Sequence, residues 1–246
     1  MYRIVVPARF ASSRLPGKPL LPLAGKPMIQ WVVERAQRSR AQQIVVATDD
    51  ERIAHAARGF GADVQMTSSD HASGTDRIAE VAAVRHWGAE DVIVNLQADE
   101  PLMPACLIDQ VAALLLAYPS ADMATLAVPV QSAAALEDPN VVKVVTDIFM
   151  RALYFSRAPI PCARDGSNAV ASARRHLGLY AYRVAALRRL AALAPSPLEK
   201  LEKLEQLRAL ENGMDIRVAQ ALEAPGGDVN TAADVPSVEA LLAAGH

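Results

Sequence analysis

The chain has 246 residues, with 25 Lys and Arg against 27 Asp and Glu, a formal net charge of −2. Its 52% hydrophobic and 21% charged residues exclude general disorder, and a chain of this mass buries roughly 70% of its unfolded surface. Near-zero net charge and 4% aromatics exclude a protein that coats nucleic acid through its bulk field.

Apolar stretches fall far short of the ~20 residues a membrane helix needs. The run Ile4–Ala8 is too short for a secretory signal and meets Arg9. Cys106 and Cys162 are solitary and read as free thiols in a reducing cytoplasm. The five His show no H-E-x-x-H and no finger spacing, which argues against zinc.

In chain order, Arg3–Pro7 reads as a buried strand and Lys26–Ser39 as a helix, with Ile29, Val32, Val33 and Ala36 on one face. Gln43–Thr48, Asp63–Thr67 and Asp91–Gln97 read as further strands. Asp50–Arg58, Gly74–Trp87 and Pro104–Ala117 read as the helices that follow them. Such βα alternation predicts one mostly parallel, doubly wound α/β sheet with helices on both faces. After residue 120 the rhythm changes. Met123–Val130, Val141–Thr146, Ala152–Phe155 and His176–Tyr182 read as strands around a polar loop at 162–175. Val184–Leu193 and Leu198–Leu210 read as helices, the second capped by Ser196 with Pro197, Glu199 and Gly213 at its boundaries. Ile216–Leu222 and Ala232–Ala243 close the chain. The expectation is a single domain over 1–246. Its late segment, about 123–215, is appended and β-rich, then helical.

There is no G-x-G-x-x-G, no G-x-x-x-x-G-K-[ST] and no G-x-S-x-G. Directly after the first strand, residues 8–20 place Arg9, Arg14 and Lys18 within ten residues, with small residues between them and a Pro16-Gly17 turn. That position is where open α/β sheets bind ligands, and Arg and Lys there suit phosphate. Asp99, just beyond the fourth strand, suits Mg²⁺, which takes one or two carboxylates plus phosphate oxygens. An Asp that caps the next helix is the competing reading. Ser73 or Thr75 reads as a helix cap, and Arg157, Arg174, Arg175 and His176 as a basic cluster. Leu198, Leu201, Leu204, Leu207 and Leu210 read as a stripe for the core or a subunit contact, with Glu199 and Lys203 as a surface pair.

The segments PARFASSRLPGKPL (7–20), GKPMI (25–29), VATDD (46–50), SDHASGTDR (69–77), NLQADEP (95–101), NVVKVV (140–145), ALYFSRAPIP (152–161), RHLGLYAYR (175–183) and SPLEKLEKLEQLR (196–208) run in order over nearly the whole chain. Together they resemble the 3-deoxy-manno-octulosonate (Kdo) cytidylyltransferase family. The resemblance implies a Rossmann-like nucleotidyltransferase sheet whose late segment serves dimerisation and sugar binding. It implies a cytoplasmic, Mg²⁺-dependent homodimer that joins Kdo to CTP, giving CMP-Kdo and pyrophosphate for lipopolysaccharide biosynthesis. Neither nucleic acid nor membrane is an expected partner. By the same resemblance, Arg9 and Lys18 hold the triphosphate and act with Asp99 in catalysis. Ala8, Ser73, Gly74 and Gln97 surround the nucleotide. Arg77, Arg157, His176, Glu205 and Gln206 line the sugar pocket, and Asp99 and Asn230 hold the metal. Two positions depart from the family pattern: Ala98, where Gly is common, and Asn230, where an Asp is common. Asp228, two residues from Asn230, is not counted among the expected metal ligands. The competing functions are a CMP-sialic acid synthetase or other sugar-acid nucleotidyltransferase, and an inactive nucleotide-binding regulator.

Overall fold

Strand residues point alternately to opposite faces, and in β1 (Tyr2–Ala8) both faces are apolar. Ile4 and Val6 enter one core cluster, and Val5 enters the other. A strand of this kind must be covered on both sides. The computed structural model describes residues 1–11, 15–165, 169–229 and 231–244 and puts β1 near the middle of a nine-stranded sheet.

After β1, the short strands β2 (Pro22–Leu23) and β3 (Lys26–Pro27) form a hairpin that leads into α1 (Met28–Gln37). Alternation continues through β4 (Ile44–Thr48), α2 (Glu51–Gly59), β5 (Asp63–Met66), α3 (Gly74–Val84), β6 (Val92–Asn95) and α4 (Ala105–Ala117). Next come β7 (Met123–Pro129), the short α5 (Ala133–Glu137), β8 (Lys143–Thr146), β9 (Ala152–Ser156) and the long β10 (Arg174–Arg183). The chain closes with α6 (Val184–Ala192), α7 (Pro197–Glu202), α8 (Gln206–Glu211), β11 (Ile216–Gln220) and α9 (Val235–Ala243).

The main path runs β11-β7-β10-β6-β1-β4-β5. All its strands share one direction except β10, which lies antiparallel between β6 and β7. Helices α1, α2 and α4 pack on one face through Ile29, Ile53, Leu107 and Val111. On the other face α3, α6 and α8 pack through Ile78, Val81, Leu187 and Leu207. The doubly wound, mostly parallel sheet is therefore the observed architecture. The chain leaves β1 toward β4 and β5, then returns to β6 on the other side. This reversal creates a switch point between β1 and β6, at whose carboxyl ends such sheets bind ligands.

Four expectations are corrected. The late segment is not an appendage, because β7, β10 and β11 complete the central sheet and only the β8–β9 hairpin branches from it, through β10. The first helix starts at Met28, since Lys26 and Pro27 pair with Leu23 and Pro22. Residues 198–210 are two helices, parted where Lys203 takes a left-handed conformation at φ 56°. A leucine every third residue slips by about 60° per step on a helix of 3.6 residues per turn, so one straight helix cannot bury the whole stripe. Leu201 is accordingly 79% exposed while Leu204 and Leu207 are buried. Glu199 does not pair with Lys203. It forms a two-pronged ion pair with Arg208, at 2.5 and 2.8 Å, and accepts the Ser196 N–H as the cap predicts.

Candidate active site

The loop after β1 returns through Gly17, whose φ of 70° is left-handed and suits a residue without Cβ. Gly17 starts the single turn Lys18–Leu20 and buries Lys18. The Lys18 ammonium reaches across the switch point to Asp99 beyond β6, with Nζ to Oδ2 at 2.6 Å. Lys18, Arg9, Ala8, Gln97 and Asp99 line a cavity of about 200 Å³. Asp99 caps no helix: α4 begins at Ala105 with Pro104 at its cap. Ala98 is absent from the positive-φ residues, so its methyl group meets no left-handed requirement there.

A second cavity, of about 160 Å³, opens on the other side of Arg9 and is lined by Ala8, Ser73, Gly74, Arg77 and Gln97. Ser73 caps α3 by accepting the Asp76 N–H at 3.2 Å, and Asp76 accepts the Ser73 N–H at 3.1 Å. Gly74 starts the helix against β1, where an added Cβ would meet the Pro7 ring at 3.4 Å. Arg77 belongs to this side and not to the expected sugar pocket. Its buried guanidinium is held by Asp49 at 3.2 Å, by the Thr67 hydroxyl and by the Ser68 carbonyl.

The third cavity, about 360 Å³, lies between β6, β10 and the α7–α8 junction. Gln97, Arg175, His176, Tyr180, Glu205 and Gln206 are among its lining residues. The break at Lys203 turns the chain so that Glu205 and Gln206 face this space. Three buried polar atoms on its lining residues have no hydrogen-bond partner, Asn95 Oδ1, Tyr180 Oη and Glu205 Oε1, although the last lies 3.7 Å from the Arg208 guanidinium as an ion pair. Buried polar groups are normally paired, so the Asn95 and Tyr180 oxygens on residues that line this cavity leave hydrogen-bonding capacity beside it. The other Glu205 oxygen, Oε2, accepts the Thr75 hydroxyl at 2.8 Å. Burial raises the Glu205 carboxyl above the usual carboxylate range and holds the Tyr180 phenol far above its own.

Burial pushes the His176 imidazole down to about 3, so it is neutral at pH 7. Its Nε2 lies 3.0 Å from Thr125 Oγ1, which has the carbonyls of Leu177 and Leu179 at 3.0 and 2.8 Å to take its own proton. The hydroxyl therefore accepts from Nε2–H, and Nδ1 is left as an acceptor. Arg157, expected in this pocket, is not on its wall. Its Nε and Nη1 donate to the carbonyls of Glu202 and Pro139, each at 2.7 Å, so it ties together loops that frame the cavity.

Three residues that line this cavity stood outside the expected site set. Tyr180 follows His176 at even spacing on β10, a period-two signal that was available, and the two rings lie 5.2 Å apart. Arg175 was legible as one of a basic cluster and lines the cavity beside His176. Asp228 also reaches the cavity wall, where burial and the nearby charge of Asp99 raise it to about 6. The bond from Val229 N–H to the Asp99 carbonyl, 3.1 Å, brings this distant segment in. Sequence periodicity does not report such a contact. Arg14 and Asn230 lie outside the described residues.

Asp99 is the residue of this cavity with the chemistry to hold a hard divalent cation. Asp99 already holds one cationic group, the Lys18 ammonium, in the small cavity. Among the described residues no three metal-ligating side chains cluster, and Mg²⁺ needs none, since substrate phosphates and water complete its shell.

The cytidylyltransferase family model matches residues 3–216. The 3-deoxy-manno-octulosonate cytidylyltransferase of Pseudomonas syringae pv. tomato is 53% identical over 99% of this chain and 98% of its own length. That of Thioalkalivibrio sulfidiphilus is 51% identical over 99% of each. A solved CMP:2-keto-3-deoxy-manno-octonic acid synthetase complexed with CTP superposes with a TM-score of 0.91 at 42% identity, covering 100% of this chain and 99% of the other. With its switch-point site and near full-length likeness to these proteins, the chain belongs to the 3-deoxy-manno-octulosonate cytidylyltransferase family.

Proposed function

We propose that the protein transfers a cytidylyl group from CTP to the sugar acid Kdo, giving CMP-Kdo and pyrophosphate. The observation that carries this reading is the position of Gln97, which lines all three cavities. A nucleotide lying from the Ser73 cavity into the Lys18 cavity presents its α-phosphate at Gln97, where the third cavity delivers an acceptor hydroxyl. The hydroxyl attacks the α-phosphorus in line, and pyrophosphate leaves toward Arg9 and Lys18. The protein contributes mainly position and charge. Arg9 and Lys18 offset charge on the departing phosphates. The neutral His176 and Tyr180, with the Glu205 carboxyl beside them, suit the hydroxyls of a sugar, and Arg175 suits its carboxylate.

Mg²⁺ is part of this reading, with Asp99 as the residue that would hold it. The ion would supply charge neutralisation at phosphate and a lowered pKa for the attacking hydroxyl. A homodimer is also part of it, supported by exposed apolar residues on the β8–β9 hairpin: Ile148 at 89%, Phe149 at 63% and Leu153 at 60%. A role before lipopolysaccharide assembly follows from the product. Among the described residues no helix is long and apolar enough to cross a membrane.

The test is pyrophosphate release with CTP and Mg²⁺, comparing Kdo, sialic acid and no acceptor. Kdo-dependent release is expected. Release with sialic acid alone would reassign the acceptor, and CTP binding without release under any condition would favour the regulator.

Glu205 gives a sharper check of the acceptor cavity. Glu205→Gln keeps the shape and one acceptor for Thr75 but replaces the carboxyl in the cavity. The KM for Kdo is expected to rise about tenfold, or ~1.4 kcal/mol, with KM for CTP unchanged. Equal changes in both constants would remove Glu205 from the acceptor site.

A further inference from the structure

We propose that Arg52, in the first turn of α2, is a positioning residue for the phosphate loop and acts through Phe10. The loop carries Arg9 at its start and Lys18 at its end. One main-chain bond, Gly17 N–H to the Phe10 carbonyl at 2.9 Å, closes its base. The Phe10 ring lies against the glycine that aims Lys18, since a Cβ on Gly17 would meet the ring at 3.1 Å. The Arg52 guanidinium lies over the same ring, 3.3 Å from its centroid.

Arg52 is itself fixed. Its Nε and Nη2 donate to the two oxygens of Asp50 at 3.0 and 2.6 Å, and Asp50 caps α2 by accepting the Arg52 N–H at 2.9 Å. A rigid path therefore runs from the end of β4 through Asp50, Arg52 and Phe10 to Gly17 and Lys18. Arg52 is not on the wall of any of the three cavities. Its effect on the nucleotide therefore travels through the ring. With the guanidinium gone, Phe10 has more freedom, and the loop must be ordered when the triphosphate binds.

The proposal rests on the cytidylyl reading for the identity of the ligand. It is tested by calorimetric CTP affinity, which needs no turnover, on Arg52→Ala, Phe10→Leu and the double variant, with thermal melts and both KM values beside it. Arg52→Ala is expected to weaken CTP binding about two- to fivefold, the range an exposed cation–π contact supports. The KM for Kdo should stay unchanged. In the Phe10→Leu background the same substitution should change CTP affinity by less than about 1.5-fold, because its partner is already gone. Unchanged affinity in Arg52→Ala overturns the clamp. So does an effect that multiplies fully with Phe10→Leu, which would place Arg52 as a distant charge, or a loss of melting temperature with no shift in CTP affinity. A wild-type protein that binds no CTP overturns the cytidylyl reading itself.

Discussion

Asp99→Asn is expected to lower turnover with CTP and Kdo at least about a hundredfold, ~2.7 kcal/mol of barrier, while the protein stays folded. Asp99 is the carboxylate that the switch point places in the Lys18 cavity, beside Arg9 and next to the junction at Gln97. An amide of the same shape keeps the packing and one oxygen but removes the negative charge. Two things are lost. On the proposed reading the cavity attracts Mg²⁺ less strongly, and Lys18, only 9% exposed, loses its charge partner. Both losses fall on groups that face phosphate, so kcat should carry most of the effect. The measurement is kcat and KM against Mg²⁺ concentration for the purified variant, with a melt to show that it is folded. Activity within threefold of the wild type at ordinary Mg²⁺ would remove Asp99 from the chemistry.

The parts of this site that were legible in the sequence are those built by local rules. The apolar run of β1, the cationic loop after it and the strand that ends before Gln97 lie in short continuous segments. The switch-point geometry then forces those segments together. Ser73 capping α3 is likewise a four-residue rule. What was illegible depends on chain segments meeting from far away. The sequence places Arg77 and Arg157 near the right motifs, but an arginine reaches many angstroms. One is drawn to Asp49 and Thr67, the other to the backbone of Glu202 and Pro139. The reversed β10 follows a long excursion that pairing alone can resolve. The break at Lys203 could have been suspected, because its leucines repeat every third residue and the α-helix does not. Asp228 was left out although residues two apart in an extended segment share a face, and the bond between Val229 and Asp99 brings its segment to the cavity.

His176 predicts how the fold responds to acid. In the unfolded chain a histidine titrates near 6.5, whereas burial holds this one at about 3. Between those values the unfolded state binds a proton that the native state refuses. Stability therefore rises with pH across the window and is lost as pH falls through 6.5 toward 3. At pH 5 the unfolded chain gains ~2 kcal/mol relative to pH 8 from this residue, a figure set by the unfolded pKa while the native one lies below about 4. Glu205 and Asp228 work the other way, since their raised carboxyls take up protons in the native state first and so favour it toward acid. The bare pH profile mixes these signs, and a difference separates them. His176→Gln keeps an N–H for Thr125 and removes the titration. Urea unfolding of both proteins at pH 8 and pH 5 should show the wild type losing about 2 kcal/mol more than the variant over that interval. Parallel losses within about 0.5 kcal/mol would mean that His176 charges in the folded protein. It would then face an acidic ligand as a cation, and the reading of His176 as a neutral partner for sugar hydroxyls would fall with it.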